Sequence, residues 1–361
     1  MPTTTGMKGR GYYDAHSKEQ RAAMDAFLPW IEEAIVDLPI PPDRQTSFVI
    51  LDIGSAEGRN AIYAMNRLTN KLRCVSELPI CVLFNDLPTN DFNRLFANLF
   101  PDGTAALSDA NIFPGAIGGT AFDSLVPPRS LHIATTFNAI GFLETKPNTR
   151  LPHYILPMGP GPLASRDGVI VTESERAPFR LQAENDLYQF YTARAEELVN
   201  GGKLLVQIFG RDDNFSTNYG IYDVLSDAIL DYVEKGILPR KVYEELIFPI
   251  YFRTVDELIT PIEKDERLAR AFRVEKAESR EVSAPFNVTL AETGDQTIWA
   301  RSYTGFLRAF TEAILASALP IDLRQPDTLD NIYQQVEKRL VADPARYEFH
   351  YISVGALLTR V

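Results

Sequence analysis

The sequence predicts a mostly parallel, doubly wound α/β sheet with an α-helical cap, and three observations predict it. Residues 48–60 and 80–93 each run an apolar strand into a polar turn, one through Gly54 and Gly58, the other to Asp86. Strand and helix patterns alternate between residues 48 and 209, the arrangement that buries a parallel sheet under helices. Beyond about residue 214 the pattern turns helical, until a last mixed apolar run returns at 348–359.

Each element has a local reason. After a polar N-terminal arm, Ala22, Ala23, Ala26, Phe27, Trp30, Ile31, Ala34 and Ile35 recur at spacings of three and four. They predict an amphipathic helix over 18–38, ended by Pro39, Pro41 and Pro42. Strand 48–53, a helix over 58–69 and strand 80–85 make a βαβ unit. A second unit reads as strand 131–140, a short strand at 168–172, a helix over 180–200, and strand 203–209 after the Asn200-Gly201-Gly202 turn. Helices follow at 219–236, 240–246, 254–263, 300–318 and 328–341. The expected division is a sheet domain of residues 1–213 with 346–361, and a helical cap of residues 214–345 inserted into it and contributing to a substrate pocket. Pro147, Pro152, Pro157, Pro160 and Pro162, with Gly159 and Gly161, rule out regular helix between Thr145 and Arg166. A segment that long is expected to be a lid or a wall of the active site.

Composition narrows the class. A chain of 361 residues with 45% hydrophobic content can bury a large core. A net charge of −12, with no run of Lys and Arg interleaved with aromatics, argues against nucleic acid or an anionic membrane as partner. No window approaches the roughly 20 apolar residues that span a bilayer, and the Thr-rich start lacks the apolar core of a signal peptide. A soluble, cytoplasmic protein is expected. Cys74 and Cys81 are too few for a disulfide framework and lack zinc-site spacing, so both are read as packing residues and no metal is expected.

The Gly54/Gly58 turn lets backbone approach a ligand closely, and Asp86 at the end of a strand can accept hydrogen bonds from ribose hydroxyls. A dinucleotide fingerprint needs a middle glycine and an acid about 20 residues on. Here the middle glycine is absent and Asp86 follows Asp52 by 34 residues, so a ribose without pyrophosphate fits better. S-adenosylmethionine (SAM) is such a cofactor.

At this point the residues resemble the SABATH methyltransferases, which methylate carboxyl groups of small acids or ring nitrogens of alkaloids. The marks run through most of the chain. They are Met7-Lys8-Gly9 with Gly11, Tyr12, Tyr13, Ser17 and Gln20; the turn from Asp52 to Asn60; the run from Phe84 through Asn85, Asp86, Leu87, Asn90, Asp91 and Phe92 to Asn93; Gly118-Gly119-Thr120; and the helix from Arg308 to Leu315. The resemblance implies a Rossmann-like SAM-dependent methyltransferase fold. It also implies that Asp52, Gly54 and Asn60 hold the methionine part of SAM, that Asp86 and Leu87 hold its ribose and adenine edge, and that Thr120 meets the adenine. Ala121, Thr136 and Phe137 join that cofactor set, and Ala121 replaces a family Phe, leaving Phe122 to supply the aromatic wall. Tyr13 and Ser17 would lie where cofactor and acceptor meet, with Lys8 and Gln20 facing the acceptor. SAM is the implied cofactor and a small carboxylic acid the implied substrate. Catalysis then needs no dedicated acid or base, because a carboxylate is already ionised at neutral pH. Alignment in a dry site can supply roughly 7–11 kcal/mol of barrier reduction.

One departure stands out. Family members commonly place a tryptophan N–H on the acceptor carboxylate, in a Trp-Leu-Ser run; here the run is Phe142-Leu143-Glu144, and that donor is missing. Gln20 remains. Losing one donor costs a carboxylate on the order of 1–3 kcal/mol unless something replaces it. Asn138, His16, Arg150 and Arg166 are the candidate replacements, and an arginine among them would suit a dicarboxylate. A nitrogen or phenol acceptor is the nearest rival and would want a base, from Glu144 or His16. A non-catalytic SAM-binding protein is the rival of another class. His132 and His350 lie in apolar runs and are read as structural, His153 as loop surface; Phe306, Phe310 and Trp299 are read as core. The cap helices offer a homodimer face that no heptad array specifies.

Overall fold

The computed structural model describes residues 6–41, 46–103, 105–107, 111–164 and 170–361. The N-terminal arm makes α1 (Tyr12–Ala15) and α2 (Lys18–Ala34). Then follow β1 (Phe48–Ile53), α3 (Arg59–Arg73), β2 (Ile80–Asp86), α4 (Phe92–Leu99), β3 (Ile112–Gly118), β4 (Leu131–Phe137), α5 (Glu173–Glu197) and β5 (Leu198–Phe209). The second half adds α6 (Ile221–Glu234), α7 (Arg240–Glu245), α8 (Val255–Lys264), α9 (Glu266–Ala271), β6 (Phe272–Val282), α10 (Pro285–Thr293), α11 (Gln296–Ala318), α12 (Pro326–Ala342) and β7 (Tyr351–Arg360).

The seven strands order as β3-β2-β1-β4-β5-β7-β6. The first five are parallel, while β7 runs antiparallel between β5 and β6. Alternation of side chains across each strand splits the core into two layers. Ile50, Val82, Ile133 and Leu205 face α2, α3 and α4, while Leu51, Ile53, Ala134 and Leu204 face α5, α8 and α9. A third core joins α6, α7, α10, α11 and α12 to Phe349 and Tyr351 at the start of β7. The strand order reverses between β1 and β4, so the C-terminal ends of the parallel strands open a crevice there, the usual ligand site of such sheets.

Two strands lie at places the sequence pattern did not announce. β3 carries Pro114 and Gly115 and occupies one edge, where a proline needs to donate no ladder bond. β6 reads Phe-Arg-Val-Glu-Lys-Ala-Glu-Ser-Arg-Glu-Val and occupies the other edge, where charge discourages pairing with a second chain. It lies within the interval expected to be all helical. Residues 170–172 are not strand; Thr172 caps α5 by accepting from Glu175 N while Glu175 returns a bond to Thr172 N at 2.7 Å. Residues 168 and 169 lie outside the described residues. Cys81 is half-buried, but Cys74 is exposed at the end of α3 and does not pack. His132, 7% exposed, accepts Val49 N–H at Nδ1, so it is structural, and burial lowers its pKa.

The described part of the proline-rich segment is neither lid nor pocket wall. Leu151, Tyr154, Ile155 and Leu156 are buried, and the Tyr154 hydroxyl donates to Asp223 Oδ1 on α6 at 2.5 Å. Gly161 N donates to the same carboxylate at 3.2 Å, as does Gly220 N at 2.8 Å. One buried acid thus fastens the loop to α6. Asp223→Ala leaves those donors unpaired, at about 1–3 kcal/mol for each buried group. The expected outcome is a lowered urea midpoint together with new proteolytic cleavage between residues 145 and 164; an unchanged midpoint refutes the anchoring role.

Candidate active site

The crevice is built from the Gly54 turn upward. Gly54 has φ of 87°, and a Cβ there would stand 2.3 Å from the Ala139 Cβ, so only glycine lets the turn after β4 approach. The Asn85 carbonyl accepts from Gly54 N and Ser55 N, both at 2.9 Å, and from Ser55 Oγ at 3.2 Å. Its side chain donates to the Ile117 and Gly119 carbonyls, tying β2 to the end of β3. Asp86 accepts from Ala56 N and Leu87 N, each at 2.7 Å. Asn90 donates to the Ala56 carbonyl at 2.8 Å, and Asp91 caps α4. The polar residues of the 85–91 run therefore fix the turn, and Asp86 keeps lone pairs for a ligand.

The arm closes over this turn. Glu57 accepts from Gly11 N at 2.5 Å and Asp14 N at 3.3 Å, and Asn98 donates to Asp14 at 2.6 Å. Asn60 donates to both the Ser17 carbonyl and its hydroxyl at 3.0 Å. Tyr13 and Gln20 are carried into the crevice as a result.

The enclosed space is about 1090 Å³, part of it open to solvent. One end presents Gly54, Ala56, Asp86, Leu87, Gly119 and Thr120; the other is walled by aromatic rings from Phe142, Phe209, Tyr222, Phe252, Phe306 and Tyr351. Thr120 Oγ1 donates to Glu144 across the first end at 2.6 Å. The loop behind it is held from α5: Arg194, fully buried, donates to the Ala121 and Asp123 carbonyls and pairs with Glu197, which accepts from Leu125 N and Val126 N.

Of the residues singled out in the sequence, Tyr13, Gln20, Gly54, Asp86, Leu87, Thr120, Ala121, Phe137, Asn138 and Phe142 line this space. Asp52, Ser17, Asn60 and Thr136 stand behind it: Asp52 accepts from Thr135 Oγ1 at 2.7 Å, and Thr136 donates to the Ile53 carbonyl at 3.1 Å. Lys8 turns away to pair with Glu312 on α11 at 2.8 Å. His16 stacks on Tyr12 with centroids 4.1 Å apart and packs against Gly305, also on α11. Arg150 does not line the space, and Arg166 lies outside the described residues. Phe306 and Phe310, read as core, do line it, whereas Trp299 is core and donates to Asn287 at 3.0 Å. Sequence reasoning missed Thr217, Phe252 and Tyr351, which the cap and the last strand bring from far along the chain.

Burial dominates the electrostatics. It pushes Asp52 up to about 7, opposed by the Thr135 hydroxyl and assisted by the charge of Asp86, which burial also raises. It keeps the phenols of Tyr13 and Tyr351 protonated.

A family model described as SAM dependent carboxyl methyltransferase matches residues 2–361. Gibberellic acid methyltransferase 1 of Arabidopsis thaliana is 25% identical over 91% of this chain and 90% of its own. A methyltransferase of Fusarium is 29% identical over 72% of this chain and 66% of its own, slightly under two thirds of that protein. Among solved structures, loganic acid methyltransferase with SAH (S-adenosylhomocysteine) superposes with a TM-score of 0.76 at 22% identity, covering 98% of both chains.

The raised Asp52 carboxyl has a consequence for stability. Between the ordinary aspartate value and about 7 the folded chain holds a proton that the unfolded chain has released, so this carboxyl costs increasing stability as pH rises through that window. Asp52→Asn keeps the acceptor for Thr135 and removes the cost. Thermal melts should place the variant a few degrees above the parent at pH 8, with the gap shrinking towards pH 5; a gap independent of pH contradicts the assignment.

Proposed function

The chain belongs to the SAM-dependent carboxyl methyltransferase family, and on that footing we propose that it methylates the carboxylate of a small acid with one carboxyl group on an apolar, ring-compatible body, giving a methyl ester. The residues fit the cofactor: a carboxylate with free lone pairs at the end of β2, a glycine turn that brings backbone close, and Thr120 at the far wall. When bound, SAM supplies a methyl group on a positively charged sulfur. That methyl group would pass to a carboxylate oxygen, with the C–S electron pair left on sulfur and no proton to be moved.

The observation that carries the reading is Gln20. It is 7% exposed, lines the cavity, and its amide oxygen is buried without a partner among the described residues. That oxygen is itself an acceptor, so a carboxylate cannot satisfy it; the Nε2–H donors of the same amide, on a side chain that lines the cavity, are what would hold an acceptor carboxylate. The surrounding rings exclude water and accommodate an apolar body. Among the described lining residues none is Arg, Lys or His. That favours a single carboxylate over a dicarboxylate held by arginine.

The nitrogen or phenol reading is weaker. His16 Nδ1 lies 2.9 Å from the Tyr12 carbonyl, outside the cavity lining, and Glu144 accepts from Thr120 at the nucleoside end. Neither bears on an acceptor at the ring-walled end. Among the described residues no helix is long and apolar enough to cross a membrane and no metal-sized cluster of His, Cys, Asp or Glu occurs. A cytoplasmic enzyme acting on a small molecule fits these facts, and a homodimer through the cap remains part of the proposal.

Methyl-labelled SAM offered with benzoate, trans-cinnamate, indole-3-acetate and dodecanoate should yield label that mild alkali releases as methanol. Label resisting alkali would move the acceptor to nitrogen or phenol. Gln20→Ala should lower kcat/KM for the acid about ten- to hundredfold, the range expected for a hydrogen bond to a charged group, with SAH affinity by calorimetry unchanged.

A further inference from the structure

Phe142 takes the place of an indole donor and packs edge-on against Phe209 with centroids 5.8 Å apart, so on the carboxylate reading proposed above Gln20 would hold the acceptor alone. The cavity offers a second donor. Tyr351, the first residue of β7, is 2% exposed and lines the same space as Gln20. Its ring lies against Phe349 and Phe306, with centroids 5.9 and 6.3 Å away, and so belongs to the apolar wall. Its oxygen does not.

The Tyr351 hydroxyl accepts from Asn138 Nδ2 at 3.0 Å. Asn138 is fixed in turn: its Oδ1 accepts from Gln207 Nε2 at 3.2 Å, and that nitrogen also reaches Ser353 Oγ at 2.6 Å. Gln207 and Ser353 are fully buried, and Asn138 is 8% exposed. The backbone of Asn138 is held as well, at φ of 65° with its N–H on the Gln207 carbonyl at 2.7 Å. A tyrosine oxygen that accepts from an amide keeps its own proton for another partner, and among the described residues no protein acceptor takes it.

We propose that Tyr351 donates its hydroxyl proton to the acceptor carboxylate beside Gln20, replacing the donor lost at Phe142, and that Asn138 with Gln207 and Ser353 is the positioning chain that aims it. Asn138 then contributes through Tyr351. Burial keeps the phenol protonated far above neutral pH, so it remains a donor across the working range. Tyr13 lines the same cavity as Tyr351.

Tyr351→Phe removes one oxygen and keeps the ring wall, so its SAH affinity should match the parent, while its melting temperature falls by a few degrees because Asn138 Nδ2 loses its acceptor. For the acid of that four-member panel with the fastest wild-type turnover, KM should rise about tenfold or more, as expected for a hydrogen bond to a charged group. Inhibition by the corresponding methyl ester, which carries no carboxylate, should not change. Asn138→Gly, which keeps the positive φ, should raise the same KM by a smaller factor without altering kcat to the same extent. An unchanged acid KM in Tyr351→Phe overturns the proposal; it is the result expected if the hydroxyl gives its proton to Asn138 instead. Equal loss for acid and ester would make Tyr351 a packing residue and also overturns it. No alkali-labile label from the wild-type enzyme with any of the four acids would defeat the carboxylate reading on which this rests, an outcome separate from failure of the Tyr351 assignment.

Discussion

The Asn85 carbonyl, accepting from Gly54 N, Ser55 N and the Ser55 hydroxyl, is the contact on which the rest of the site depends. It welds the turn after β1 to the end of β2, so the two strand ends move as one piece. Asp86, the next residue, then has its orientation set by Ala56 N and Leu87 N, and Ala56 is itself held by Asn90. Glu57, one residue further, recruits the N-terminal arm through Gly11 and Asp14. A carboxylate on the cavity wall, a close-approach turn and the arm that carries Tyr13 and Gln20 are thus consequences of one local bonding pattern. No buried side-chain polar atom of residues 52–60 is left without a partner, which favours a rigid loop at the floor of a crevice.

The centre of the fold was legible because β1 and β4 are buried on both faces, β2 on one and partly on the other, and all three write themselves as apolar runs. The edges were not. β3 and β6 have one neighbour each and carry proline or charge, the composition that stops an edge from pairing further and also hides it from pattern reading. The site divides along the same line. Gly54, Asp86 and Thr120, at or just beyond the strand ends, line the cavity. Lys8 and His16 do not, because their partners Glu312 and Gly305 lie some 300 residues along the chain on α11. Phe306, Phe310 and Tyr351 were unreadable for the converse reason: a ring that walls a cavity and a ring in a core have the same local sequence, and only the tertiary arrangement separates them. The proline-rich segment announced that it was irregular, while its destination was decided by Asp223 on a later helix.

With no Arg, Lys or His among the described lining residues, the proposed acceptor carboxylate would be held by neutral groups. In the transfer proposed here, a negative carboxylate and a positive sulfur both lose charge as the transition state forms. An arginine beside the carboxylate would stabilise the full charge of the ground state more than the diminished charge of the transition state, and so would raise the barrier it was meant to lower. A neutral amide and a neutral phenol hold the oxygen in place with less of that penalty. The rings act in the same direction, because a water-poor cavity disfavours separated charge and therefore favours the step in which the charges cancel. Replacement of an indole N–H by a tyrosine O–H, aimed by buried Asn138 and Gln207, preserves this neutrality. On that proposal the chain from Gln207 through Asn138 to Tyr351, and not a charge, would select the reacting geometry.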